Sequence, residues 1–414
     1  MSERVSGDGA PLRAGPARAA ALTIPALSLV VIASGEVEAA QTFAARHFSP
    51  DEVVEVEPAD VNAEAFEAAR DSIDRRLAAG HLAAAVVHAN DAMLSTSLAR
   101  MAHHHDVAAV AITLGQRIPA TRFPVGPRSY EAAHWLATPE DWEAAEVFRQ
   151  PLACDLRAEG GPFDIIGDVH GCYDELLELL ELLGYVHASD DGKSEEPDDV
   201  WRHPAGRRVI FVGDLVDRGP GVTQVVRLAM RMMAAGQAFW APGNHDIKLM
   251  RALEGRNVHI AHGLQASLNQ IDALPTAEER AAFRRDFVNL IHQIPPYLWL
   301  EGGDLVVAHA GLPERYHGRI SERVRVLAFY GETTGWEDAY GHPIRVDWAA
   351  DYHGAAAVVY GHTPHRETRW RHNTINVDTG CVHGGRLTAV RWPERSLVSV
   401  SAHHEYAHRK GGLR

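Results

Sequence analysis

Three runs of small and branched apolar residues, LSLVVIA (27–33), HLAAAVVHA (81–89) and VAAVAITLG (107–115), carry almost no polar interruption. They read as strands buried on both faces. Between them the apolar residues recur at helical spacing. EVEAAQTFAARHF (36–48), NAEAFEAARDSIDRRLAAG (62–80) and AMLSTSLARMAHHHD (92–106) are therefore predicted helices, the second closed by Gly80. EVVEVEP (52–58) adds a short strand, and the segment around PEDWEAAEVF (139–148) reads as helical. Strands alternating with helices imply a parallel sheet covered on both faces.

After a linker-like CDLRAEGGP (154–162), the stretch FDIIGDVHGCYDELLELLELLGY (163–185) repeats the strand, turn and helix pattern. HASDDGKSEEPDD (187–199) is acidic, lacks apolar periodicity and reads as an exposed loop. The alternation then resumes and gives way, after about Trp299, to short strands and turns. The expected organisation is a disordered segment over 1–20, an α/β domain over 21–150, a second domain over 151–405 and a flexible tail over 406–414.

Composition narrows the picture in three ways. The net charge of −15 argues against non-specific coating of nucleic acid, yet permits a local basic pocket for one phosphate group. Three cysteines, Cys154, Cys172 and Cys381, are too few for a disulfide framework and suit a reducing compartment. The most apolar stretch, LTIPALSLVVIASG (22–35), is short and contains Pro25, so it reads as a buried strand and not as a membrane span. Residues 1–20 have no apolar signal region, so the expected location is the cytoplasm, without a membrane partner.

The chemistry lies in the second half. GDVHG (167–171), GDLVDRG (213–219), GNHD (243–246), HAG (309–311) and GHT (361–363) all fall at the ends of expected strands. Loops at the carboxyl ends of parallel strands converge on one crevice. Five such loops would gather Asp168, His170, Asp214, Asn244, His309 and His362. That mixed nitrogen and oxygen set suits borderline divalent metals: Mn²⁺ first, with Ni²⁺, Fe and Zn²⁺ as alternatives. Two such ions need a bridging carboxylate, and Asp214 is placed to be it. Asp168 and His170 would complete one metal; Asn244, His309 and His362 would complete the other. Such a pair clamps a phosphate and makes hydroxide from a shared water at neutral pH. His245, beside Asn244, is the candidate general acid for the leaving oxygen. Asp217 is placed to orient its imidazole, and Arg218 to hold phosphate oxygens.

This constellation resembles the calcineurin-like binuclear metallophosphoesterases, and among them the phosphoprotein-phosphatase branch. The resemblance implies a β-sandwich flanked by helices, and agrees with the ligand, acid and arginine roles given above. PFDIIGDVHGCYDEL (162–176), VLAFYGETTGWEDAYGHPIR (326–345), AAAVVYGHTPH (355–365) and NTINVDTGCVHGGRLTAVRWPERSLVSV (373–400) carry a narrower likeness. From about Pro162 to Ala402 the chain is similar to the phosphatase module of bacterial polynucleotide kinase-phosphatase. That likeness implies hydrolysis of polynucleotide 3′-phosphate or 2′,3′-cyclic phosphate ends, on RNA or DNA, with Mn or Ni. By position Asp378 matches a family active-site aspartate, although a turn residue after a strand fits equally. Arg319, Arg323 and Arg325 would contact phosphates or form a solvated helix face.

In that family a P-loop kinase precedes the phosphatase. IPALSLVVIASGEVEAAQTFAARHFSP (24–50) tracks its entry, but Ala40 and Gln41 stand where Lys and Ser belong, and Glu36 and Glu38 would repel phosphate. His88 stands where the family carries an Asp. The N-terminal domain is thus expected to be a smaller, degenerate P-loop-like parallel α/β domain that binds no ATP, with a homodimer or a repair protein as its partner. The same metal motifs also serve symmetrical dinucleoside tetraphosphatases and phosphoprotein phosphatases, which are the alternative readings. A reading of another class makes the N-terminal domain a binding or dimerisation scaffold. The histidines 103–105 face different directions on a helix and read as an exposed helix end rather than a metal site.

Overall fold

The computed structural model describes residues 21–88, 92–116, 123–126, 129–187, 200–341 and 343–409. The expected disordered segment 1–20, nearly all of the acidic stretch 187–199 and the end of the 406–414 tail lie outside these residues. The chain divides into two compact units, Met1–Leu152 and Ala153–Arg414.

The first unit comprises β1 (Ala21–Pro25), β2 (Ser28–Ser34), α1 (Val37–His47), β3 (Val53–Val56), α2 (Ala63–Ala78), β4 (Ala83–His88), α3 (Ala92–His104), β5 (Ala108–Leu114), β6 (Ala132–Leu136), α4 (Pro139–Ala144) and β7 (Glu146–Gln150). Its main sheet is parallel throughout, in the order β3-β4-β2-β5-β6. Every residue of β2 and β5 is buried, as their unbroken apolar runs require. Alternate residues of β2 feed opposite cores. Leu29, Val31 and Ala33 pack with Ile73 and Leu77 of α2 and Leu98 of α3, while Val30 and Ile32 pack with Ala40, Phe43 and Ala44 of α1. α2 begins where the Asn62 side chain accepts from Ala65 N at 3.1 Å and ends at Gly80, whose φ is +77°.

Two local expectations change here. The apolar run 22–35 is two strands, β1 and β2, broken between Pro25 and Ser28. The segment after α4 is extended, because β7 pairs in parallel with β1 over Ala21–Pro25 and Glu146–Gln150. Such a distant partner leaves no trace in the local pattern. α4 itself starts at a reciprocal cap between Thr138 and Asp141.

The second unit comprises β8 (Phe163–Ile166), α5 (Tyr173–Leu183), β9 (Val186–His187), β10 (Trp201–Arg202), β11 (Arg208–Phe211), α6 (Val222–Ala234), β12 (Ala238–Trp240), α7 (Asn244–Leu253), α8 (Leu264–Asp272), α9 (Ala277–Gln293), β13 (Leu298–Leu300), β14 (Leu305–Val307), α10 (Glu322–Tyr330), β15 (Thr333–Glu337), β16 (Pro343–Arg345), β17 (Ala357–Tyr360), β18 (Thr374–Asn376), β19 (Arg386–Trp392) and β20 (Ser396–Ser401). One sheet has the order β12-β11-β8-β19-β20 and the other β13-β14-β17-β18. Phe163, Ile165, Ile210 and Val212 of the first sheet share a single core with Leu305, Val307, Val359 and Ile375 of the second. The two sheets therefore form the expected β-sandwich. α5 buries Leu176, Leu179, Leu180 and Leu183 on one face and stops at Gly184, with φ +96°.

The topology places the chemistry. β8, β11 and β12 run parallel in one sheet, and β14, β17 and β18 run parallel in the other. The loops leaving their carboxyl ends carry Asp168 and His170, Asp214 to Arg218, Asn244 and His245, His309, His362, and Asp378 respectively. Each sheet thus contributes three loops to one end of the sandwich.

Candidate metal centre

Close backbone approach builds this centre. A Cβ on Gly243 would lie 2.1 Å from Asp214 Oδ1, and one on Gly361 would lie 2.1 Å from Asp168 Oδ1. Only glycine lets these two carboxylates lie against the neighbouring loops. His170, Asp214 and His362 hold φ values of +46°, +47° and +74°. Left-handed backbone is uncommon for such residues, and three cases in one cluster suit a site whose surroundings fix its geometry.

Asp214 is the centre of the arrangement. Its Oδ2 lies 3.6 Å from His170 Nε2, 3.4 Å from His309 Nε2 and 4.0 Å from His245 Nε2. Its Oδ1 accepts from His245 N at 2.9 Å. Asp214, His309 and His362 present ligand atoms within 4.8 Å of one another, and so do His170, Asp214 and His245. Asn244 Oδ1 and His362 Nδ1 lie 3.1 and 3.0 Å from His309 Nε2. Asp168 accepts from His362 N at 3.2 Å. Five of the six expected ligands, His170, Asp214, Asn244, His309 and His362, therefore bring donor side chains together, Asp168 reaches the cluster through the His362 amide, and Asp214 belongs to both groups. Neighbouring carbonyls orient the imidazoles: His170 Nδ1 lies 2.7 Å from Val216 O, and His309 Nδ1 lies 3.2 Å from Val212 O.

The electrostatics test whether cations suit this place. Burial and the neighbouring Asp378 push Asp168 well above the usual carboxylate range. Asp378 itself is raised to about 6, chiefly by burial. Burial opposes the charge of Asp214 too, but the imidazoles of His309, His245 and His170 hold it well below its ordinary value. Burial also works against a charged His309, yet Asp214 and Asp168 lift it to about 9. Burial holds His170 and His362 neutral, helped by the charges of Arg218 on the first and of His309 and Arg345 on the second. The site is thus a buried cluster of carboxyl groups beside two neutral imidazoles, His170 and His362, and a third, His309, that holds a proton against Asp214 and Asp168. Divalent cations would relieve the first and bind the second, so the donor set fits two metals.

His245 and its neighbours form a separate chain. His245 Nδ1 lies 2.6 Å from Asp217 Oδ2, and Ser267 Oγ donates to Asp217 Oδ1 at 2.5 Å. Asp217 N donates back to Ser267 Oγ at 2.9 Å. Arg218 donates to His170 Nε2 at 2.6 Å and to His245 Nε2 at 3.0 Å. The expected acid, its orienting carboxylate and the phosphate-binding arginine are therefore in mutual contact. His245 also lies in one of the two ligand groups, which spacing alone did not show.

Two contributors escaped the sequence reading. Ser267, on α8, buttresses Asp217 from 50 positions away, and nothing in its local pattern marks it. Asp246 ends the GNHD motif and accepts from Leu215 N, Gly243 N and Trp240 Nε1, tying two metal loops together. Its place in the motif was the available signal.

The other candidates are engaged elsewhere. Arg319 Nε donates to Arg315 O at 2.9 Å, Arg323 lies over the Tyr316 ring, and Arg325 is exposed. His103 and His105 contact Ser129 O and Asp74 respectively, so the histidine run does diverge. All three cysteines are free and buried. Among the described residues no helix is long and apolar enough to cross a membrane.

A profile of the calcineurin-like phosphoesterases matches residues 161–366. Among curated proteins, the bis(5′-nucleosyl)-tetraphosphatase PrpE (asymmetrical) of Anoxybacillus flavithermus is 42% identical over 248 residues, which are 60% of this chain and 97% of that protein. The protein of the same name from Geobacillus sp. is 44% identical over 247 residues, again 60% and 97%. That of Halalkalibacterium halodurans is 45% identical over 238 residues, 58% of this chain and 93% of the relative. These relatives bear the name of a tetraphosphatase and not of a polynucleotide kinase-phosphatase. The narrower likeness drawn from the carboxyl-terminal stretches is corrected accordingly, to the tetraphosphatases.

Proposed function

Because the chain belongs to the calcineurin-like phosphoesterase family, we propose that it hydrolyses dinucleoside polyphosphates, taking small nucleotides in preference to polynucleotide 3′ ends. The carrying observation is the match along 93–97% of the length of the named tetraphosphatases. The net charge of −15 supports it, since a polynucleotide would be repelled at long range. Of the alternatives open at the outset, the dinucleoside tetraphosphate reading is favoured, in the asymmetrical form that those relatives carry in their names.

Asp168, His170, Asp214, Asn244, His309 and His362 would hold two divalent cations, Mn²⁺ being our first choice. When bound, the cations supply Lewis acidity and a water acidic enough to react near neutral pH. The rest falls to the chain. Arg218 exchanges the two imidazoles for phosphate oxygens and balances the charge that develops there. Asp217, itself fixed by Ser267, holds the Nδ1 proton of His245 and so directs Nε2 toward the leaving oxygen, which it protonates. Asp378 adds a second buried carboxyl group beside Asp168, and bound cations would favour the charged form of both.

The N-terminal unit we read as a phosphate-binding fold that no longer binds ATP. Support comes from Ala40, which is buried, from Gln41, whose amide donates to Glu55, and from Glu38 in the first turn of α1.

A panel with Mn²⁺ decides the substrate: diadenosine tetraphosphate, a 3′-phosphorylated oligonucleotide and a phosphopeptide. Preferential turnover of the first, giving a nucleoside triphosphate and a monophosphate, is expected. Preferential turnover of the oligonucleotide would restore the polynucleotide reading.

A further inference from the structure

A cavity of about 380 Å³ opens beside the candidate metal centre, with His362 in its lining. Gly361 and His362 line one wall, and the end of the β15–β16 hairpin lines another. Its aromatic surface comes from Trp348 and Tyr360, whose rings are 5.1 Å apart at 58°. The indole is well seated. A Cβ on Gly311 would lie 2.1 Å from Trp348 Cζ2, so the ring rests directly on the backbone of the HAG motif that supplies His309. Tyr352 meets the same indole edge-on at 5.8 Å.

The charges around this cavity nearly cancel. Arg345, Arg369 and Arg371 face Glu332, Asp347 and Glu367, and Arg371 is paired with Asp347 at 2.7 Å. A cavity built for a polyphosphate or a nucleic-acid backbone would carry a surplus of cations. This one suits a neutral, flat group with polar edges, and its volume lies in the range of small-ligand sites. Arg345 is the exception in position. It is anchored to Tyr330 O and lines the same cavity as His362. It therefore stands at the boundary between the aromatic cavity and the metal ligands.

We propose that this cavity holds the nucleoside of the substrate, with the base against Trp348 and with Arg345 on the phosphate next to the one attacked. The proposal rests on the nucleotide reading above and deepens it: the phosphates lie between Arg218 on one side and Arg345 on the other, and the leaving or retained nucleoside is recognised by stacking. Sequence cannot reveal this, because Trp348, Tyr360 and Arg345 belong to no metal motif.

The test compares ADP with inorganic phosphate by calorimetry on the full, Mn²⁺-loaded chain. Wild type is expected to bind ADP at least about tenfold more tightly than phosphate, the scale of one base stacked on one aromatic ring. Trp348→Ala should lower the ratio of the two affinities about tenfold, and Trp348→Phe should restore most of it. Should Trp348→Ala fail to fold, Arg345→Gln serves in its place, with a fall in the same ratio. Equal binding of ADP and phosphate by wild type overturns the proposal. So does a ratio unmoved by these substitutions. Hydrolysis is read separately: a chain that cleaves diadenosine tetraphosphate yet shows no selectivity for ADP keeps its function and loses this site, whereas one that selects ADP but cleaves another ester keeps the site and loses the function.

Discussion

Two strand-turn-helix corners of this chain invite comparison. In the first unit β2 leads through Ser34, Gly35 and Glu36 into α1; in the second β8 leads through Gly167, Asp168 and His170 into α5. Their local patterns are alike, an apolar strand followed by a glycine turn and an amphipathic helix. Their surroundings differ. Gly35 is exposed, and nothing lies within 4 Å of the Cβ it lacks. Gly167 is buried, and a Cβ there would lie 2.3 Å from Val377 O in the opposite sheet. The first corner faces open space with Glu36 and Glu38 at its mouth. The second faces five other loops. The motif supplies the donor atoms, but convergence of loops from two sheets makes them a site.

Substitutions can break this contrast, and the largest effect belongs to the residue shared by both ligand groups. Asp214→Ala should leave no phosphate release above background from p-nitrophenyl phosphate, with bound metal, measured by mass spectrometry, below the wild-type content. Full metal content with retained turnover would remove Asp214 from the centre. Next comes His245→Ala. For a nucleotide leaving group kcat should fall about 10²–10⁴-fold, the usual worth of a general acid. For p-nitrophenolate, which leaves without a proton, the fall should be far smaller. An equal loss on both substrates would assign His245 to metal binding, as its position near His170 also allows.

Gly361→Ala probes the packing itself. Its Cβ would meet Asp168 Oδ1 at 2.1 Å, so the carboxylate or the loop must move. Activity should drop about a hundredfold, the cost of displacing a positioned group by about 1 Å. Ser267→Ala removes the hydrogen bond to the buried Asp217 carboxylate and the acceptor of Asp217 N, and urea denaturation should show a loss of about 1.5–3 kcal/mol. Its effect on kcat should stay below that of His245→Ala, because the Asp217–His245 contact remains. The smallest effect completes the comparison: Gly35→Ala should change stability by no more than about 0.5 kcal/mol and leave hydrolysis at the wild-type rate. A large loss there would mean that the first corner is a working site after all.

Much of this was legible beforehand because it is periodic. The unbroken runs of β2, β4 and β5 could only be strands buried on both faces, and all three lie inside the parallel sheet. The strand, turn and helix read over 163–185 are β8 and α5 with the loop between them. The five motifs singled out six candidate ligands, since each pairs a glycine with donor side chains at a strand end. Where partners are distant, reading failed. The local pattern of β7 reads as helical because its partner β1 lies some 125 positions away, as Ala21 pairs with Glu146. The carboxyl-terminal stretches pointed to polynucleotide ends, whereas the relatives are named for dinucleoside tetraphosphates. Metal ligands are dictated by the reaction and not by the substrate, so a shared centre cannot separate the two.

The sequence by itself determined most of the elements and which loops carry donor side chains, because periodicity and side-chain chemistry are local properties. Only the tertiary structure decided that Asp214 stands between two groups of imidazoles, that Ser267 steadies Asp217, and that Trp348 and Arg345 line one cavity with His362. Those facts depend on two sheets packing through one core, so that loops far apart in the chain end on the same side of the sandwich. No local pattern carries that information, since each loop acquires its partners only when the sheets close.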